Sequence, residues 1–89
     1  MDTMTTTTVT VRYFAAARAA AGTEVEKVQL PAGSTVAAAL DALRAQHGPE
    51  FAVVLARCSF LLDEVAVRDQ ATTLDADAVL DVLPPFAGG

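Results

Sequence analysis

The chain of 89 residues has no Trp, one Tyr, one His and one Cys. A single Cys excludes a disulfide framework, and one His with one Cys excludes a zinc finger or a histidine-ligated metal site. The five glycines Gly22, Gly33, Gly48, Gly88 and Gly89 have no phosphate-cradling spacing, so a nucleotide loop is excluded as well. Basic charge is scarce in the last third. Residues 59–89 carry Asp63, Glu64, Asp69, Asp75, Asp77 and Asp81 against Arg68 alone, whereas residues 1–58 balance five acids with five bases. The whole net charge of −5 therefore lies there, the wrong sign for a phosphate-backbone binder, and nucleic acid is not an expected partner. No apolar run reaches the roughly 18–20 residues that span a bilayer, and residues 1–8 lack the basic and apolar regions of a secretory signal. A membrane is not expected as a partner, and the cytoplasm is the expected compartment.

What is present is alanine, 19 residues of it, inside a hydrophobic fraction of 53%. Alanine offers little apolar area, so the core must rest on Val, Leu and Phe. Val9, Val11 and Tyr13 alternate with Thr8, Thr10 and Arg12, which predicts a strand over 6–14. Residues 15–21, ending at Gly22, suit a turn or short helical connection. A second strand is predicted over 23–30, with Glu24, Glu26 and Lys27 on its exposed positions. Ser34 or Thr35 is placed to cap a helix whose stripe is Val36, Leu40 and Leu43, and Gly48-Pro49 ends it near His47. A second short helix is predicted over 50–57. Strands follow at 58–62, 65–68 and 78–83, with a polar turn over 72–77. This order predicts an α+β fold, a mixed sheet of about five strands packed on one main helix plus a short second helix. The expected organisation is a disordered leader over 1–8, one domain over 9–83 and an extended tail over 84–89.

The interior holds no catalytic constellation. His47 and Cys58 have no third residue to orient them, so they are read as a helix-end histidine and a small core residue. Asp75 and Asp77 are read as turn formers rather than a metal pair, and no metal site is expected. The C-terminus is different: Pro84 and Pro85 lack backbone donors, so they end strand pairing and project a stiff, extended chain. Six extended residues reach about 20 Å. Glycine is about 7% of residues, so a terminal Gly-Gly arises by chance in roughly 0.5% of chains. Gly88 and Gly89, with no Cβ, can thread a channel closed to other residues, and they deliver the α-carboxylate of Gly89. An ionised carboxylate is a poor electrophile. ATP can activate it as an acyl-adenylate, after which a thiol or persulfide can attack, with every catalytic group on a partner.

The tail Leu83-Pro84-Pro85-Phe86-Ala87-Gly88-Gly89 resembles that of the small, ubiquitin-like subunit of molybdopterin synthase, the MoaD family. So do Tyr13-Phe14-Ala15-Ala16-Ala17-Arg18, with Gly22 four residues on, and Leu30-Pro31-Ala32-Gly33-Ser34-Thr35-Val36. The resemblance spans residues 9–89 and implies a β-grasp fold. It further implies a sulfur carrier whose Gly89 is adenylated by an ATP-using activating partner and converted to a thiocarboxylate with sulfur from a sulfurtransferase. The sulfur then passes to a pterin precursor in the large synthase subunit, in a heterotetramer of two small and two large subunits. No permanently bound cofactor is implied. Carried over by position, Phe14, Val67 and Leu83 fall where the family places its apolar contact patch, with core packing the alternative for each. Arg18 is a candidate rim ion pair, and Pro84, Pro85, Phe86, Ala87 and Gly88 thread the tail. Two turns depart from the family pattern: Asp75-Ala76-Asp77 replaces an Asp-Gly-Asp-like turn, which would strain Ala76 if it needs a positive φ, and Asp63-Glu64 replaces an Asn-Gly-type turn. The competing readings are a carrier for thiamine or cysteine synthesis, a ubiquitin-like protein modifier, and an interaction domain with an incidental tail.

Overall fold

The computed structural model describes residues 5–85. The element order is β1 (Thr6–Tyr13), α1 (Ala16–Ala21), β2 (Val25–Pro31), α2 (Val36–His47), α3 (Pro49–Leu55), β3 (Ser59–Leu62), β4 (Val65–Ala66) and β5 (Val79–Leu83). Five strands form one sheet in the order β2-β1-β5-β3-β4. β1 pairs antiparallel with β2 and parallel with β5, and β3 lies antiparallel to both β5 and β4. This is the predicted mixed sheet of an α+β, ubiquitin-like β-grasp fold.

The period-two pattern of β1 sends Val9, Val11 and Tyr13 to the core, where each is at most 1% exposed. Leu80 and Val82 from β5, and Val28 and Leu30 from β2, continue that face. α2 lays Val36, Leu40 and Leu43 against it, together with Ala39. Thr35 is the cap: its hydroxyl accepts from the Ala38 amide at 3.2 Å, an interaction typically worth about 1 kcal/mol. Gly48, at φ 93°, follows α2, and Pro49, which cannot continue the ladder, opens α3. Phe51 and Leu55 then anchor α3 in the core.

Several expectations need correction. Residues 6–8 belong to β1, with Thr6 opposite Pro31, so they are not part of a leader. β4 is only Val65–Ala66 rather than four residues, because Asp69 and the following turns pull the chain away from β3. The segment read as a polar turn hides a core residue. Leu74 is 3% exposed, held there by its amide bond to the Ser34 carbonyl, while the Val36 amide bonds to the Thr72 carbonyl. The positive φ near Ala76 falls instead on Asp77, at 60°, a residue type that tolerates this region, so Ala76 escapes it. Between β3 and β4, Asp63 and Glu64 have φ 49° and 72°, the two left-handed residues of a type I′ hairpin made without glycine. Asp63 accepts from the Val79 amide at 2.9 Å, which ties this turn to β5.

Glu26 is not an exposed strand residue. It sits at the end of the core face, where Tyr13 Oη donates to its Oε2 at 2.5 Å, His47 Nε2 to the same oxygen at 2.5 Å, and Gln46 to Oε1 at 2.8 Å. Burial alone would raise its pKa, but the Tyr13, His47 and Gln46 hydrogen bonds outweigh it and hold the carboxyl below the usual range. Burial and the same carboxylate push the Tyr13 phenol up. The Tyr13, His47 and Phe51 rings pack at centroid distances of 4.5–6.1 Å, so this cluster joins the C-terminal end of α2 to both strands and α3.

Candidate functional site: the root of the C-terminal tail

β5 lies between β1 and β3, so the chain reaches the tail from the middle of the sheet. Its last pair is Leu83 with Ser59, and Pro84 and Pro85, lacking amide donors, end the ladder there. Phe86, Ala87, Gly88 and Gly89, the predicted threading and acceptor residues, lie outside the described residues. Pro84 is half-buried and Pro85 exposed.

Beside this root, β1 ends. Tyr13 is opposite Val82, and the Phe14 amide bonds to the Val82 carbonyl at 3.2 Å, which puts Phe14 next to Leu83. Both follow a core residue, so alternation turns both to the open face of the sheet. Phe14 is 40% exposed there. The chain then bends sharply, with the Ala17 amide bonded to the Phe14 carbonyl at 3.0 Å. Ala15 holds φ 51° and ψ −125° in that bend, a conformation that favours glycine and is strained for alanine.

The open face also carries an ion pair that sequence reasoning missed. Arg12 and Asp81 are cross-strand partners, and the guanidinium donates Nε and Nη2 to the carboxylate at 2.6 and 2.8 Å. Asp81 is 4% exposed, so the fork satisfies a carboxylate that burial would otherwise penalise. The hydrogen bond to Asp81 raises the Arg12 pKa, and the guanidinium lies 5.8 Å from the centroid of the Phe14 ring. One signal was available: an Asp inside Val79-Leu80-Asp81-Val82-Leu83 needs a buried partner. Only the strand register names Arg12.

The structure brings Phe14, Leu83, Pro84 and Pro85 together and leaves Val67 apart. Val67 follows β4, donates its amide to the Phe60 carbonyl and packs against the core, three strands from the end of β1, or about 14 Å at the usual strand spacing. Arg18 is exposed on α1 and forms no ion pair among the described residues, sharing a cleft with Arg12, Phe14 and Glu24. His47 is committed to Glu26. Cys58 is half-buried, bonds the Val54 carbonyl, and has its thiol pKa pushed up by burial. No helix among the described residues is long and apolar enough to cross a membrane.

The sequence model of the ThiS family matches residues 11–89. The chain belongs to the ThiS family. By family and fold it is a ubiquitin-like sulfur carrier of the ThiS/MoaD type. It is similar in structure to a protein described as molybdopterin converting factor subunit 1 from Pyrococcus furiosus, at 25% identity and a TM-score of 0.81, over 90% of this chain and 99% of that one. It is also similar to a chain in the complex of subunits 1 and 2 of molybdopterin-converting factor from Helicobacter pylori, at 27% identity and a TM-score of 0.59, over 92% and 99%. Small archaeal modifier protein 1 of Haloferax volcanii shares the fold at 22% identity and a TM-score of 0.76, over 90% and 99%. No curated protein matches the chain.

Proposed function

We propose that this ThiS-family carrier serves molybdenum cofactor synthesis as the small, sulfur-carrying subunit of molybdopterin synthase. The observation that carries this reading is the near full-length likeness to molybdopterin converting factor subunit 1, supported by the Helicobacter pylori chain recorded with subunit 2. The Gly89 carboxylate attacks the α-phosphorus of ATP on an activating partner, and pyrophosphate leaves. The terminal sulfur of a sulfurtransferase persulfide then displaces AMP to give an acyl disulfide. A second thiol on the partners attacks the outer sulfur of that disulfide, forming a partner disulfide and releasing the Gly89 thiocarboxylate. That sulfur is transferred to the pterin precursor in the large subunit, with Pro84 to Gly88 threaded into its channel, in a heterotetramer of two small and two large chains. ATP is consumed by the partner, and the carrier itself holds no permanent cofactor. Phe14 and Leu83, adjacent on the open face, are the apolar contact beside the tail root, and Arg18 pairs at its rim. Val67, packed against the core after β4, has no part in this contact.

The test is intact mass after incubation with the cognate activating enzyme, ATP and a sulfur donor. The expected change is replacement of one oxygen by sulfur, lost when Gly89 is deleted. Lysine adducts in cells instead would make the protein a modifier, and an unchanged mass would refute both. Transfer of labelled sulfur to a pterin rather than a thiazole or cysteine acceptor decides the pathway.

A further inference from the structure

The tail root has a second flank, away from the open sheet face. Pro84 and Pro85 form one wall of a groove of about 260 Å³, completed by Ala16 and by Val53, Val54 and Arg57 on and just after α3. Val53 is 61% exposed in the middle of a seven-residue helix. A β-branched residue slightly disfavours helix, and so exposed a position gains little burial to offset it, so neither propensity nor core packing accounts for an isopropyl group there. Arg57 is exposed and makes no ion pair among the described residues. An apolar floor beside an uncommitted guanidinium fits an apolar side chain flanked by a carboxylate.

We propose that this groove is a docking site for the adenylating partner, which sets such an apolar-and-acidic segment against Val53, Pro85 and Arg57. The inference rests on Gly89 being the adenylyl acceptor. A protein that closes on residues 86–89 has its channel within about 13 Å of Pro85, so the groove lies within reach of its contact surface. Charge fits this spot. The chain carries a net −5 and its last third holds six acids, so an acidic partner segment is opposed over much of that surface and welcomed at Arg57, which like Arg18 makes no ion pair among the described residues. The adenylating partner is also the first protein to engage the unmodified carboxylate, because no sulfur can be carried before activation.

The experiment is ATP–pyrophosphate exchange by the cognate adenylating enzyme with the full chain as varied substrate. Val53→Asp/Arg57→Glu is expected to raise KM about tenfold at low salt with kcat little changed, whereas Arg57→Lys stays near wild type. The penalty of Arg57→Glu alone is expected to shrink as salt is raised. Thermal unfolding monitors folding, and if Val53→Asp destabilises the domain, Arg57→Glu alone decides. A wild-type chain that supports exchange, with variants within twofold in KM, overturns the groove proposal and leaves the carrier reading standing. A wild-type chain that supports no exchange overturns the carrier reading, and the groove proposal falls with it.

Discussion

Replacing Glu26 tests whether the Tyr13–Glu26–His47 cluster fastens α2 to the sheet. Tyr13 is 1% exposed and its hydroxyl donates to the Glu26 carboxylate at 2.5 Å. A hydrogen bond to a charged partner is worth about 1.5–3 kcal/mol, and Glu26→Ala also strands the donor on His47. The expected loss is about 2–3 kcal/mol, which for a domain of this size lowers Tm by about 10–20 °C. Glu26→Gln keeps an acceptor without the charge and should lose roughly half as much. Denaturant unfolding of Glu26→Ala, Tyr13→Phe and the double variant isolates the pair, with an expected coupling of about 1–2 kcal/mol. The sign with pH follows from the depressed carboxyl: the folded protein binds the Glu26 proton less readily than the unfolded chain does. The cluster's contribution is therefore complete above the ordinary glutamate range and is lost as pH falls through the lower folded value. The stability gap between wild type and Glu26→Gln should narrow on acidification. Additive single effects, or a gap that widens in acid, would refute the reasoning.

Two further outcomes are expected. Leu40→Ala removes a side chain that is 0% exposed at the centre of the α2 stripe and should cost about 2–5 kcal/mol by urea denaturation. Ala15→Gly relieves the strained bend beside Phe14 and should raise stability by a few tenths to about 1 kcal/mol despite the added chain entropy, read as a higher urea midpoint at unchanged slope.

The elements that were legible in the sequence are those with long periodic signals. The alternation of Val9, Val11 and Tyr13 and the stripe of Val36, Leu40 and Leu43 each report one buried face, and both faces meet in the structure. The short pieces were less legible, because a two-residue strand such as Val65–Ala66 has no period to read. Leu74 looked like part of a polar turn because its burial depends on the bridge from Thr73 to Thr35, a contact between segments distant in sequence. The same limit hid the polar partnerships. Arg12 with Asp81, and Glu26 with His47, are separated by 69 and 21 residues, and only the register and the end of α2 bring them together. The tail motif was legible as chemistry, whereas the groove at its root needs α1, α3 and the prolines assembled.

The parallel pairing of β1 with β5 has a mechanical consequence. A protein that grips the tail and pulls does not peel an edge strand away, because β5 is hydrogen-bonded on both sides and carries Leu80 and Val82 in the core. The force is borne in shear by two ladders at once, together with the Arg12–Asp81 clasp across one of them. The domain is thus a handle, joined to the tail through both edges of its last strand.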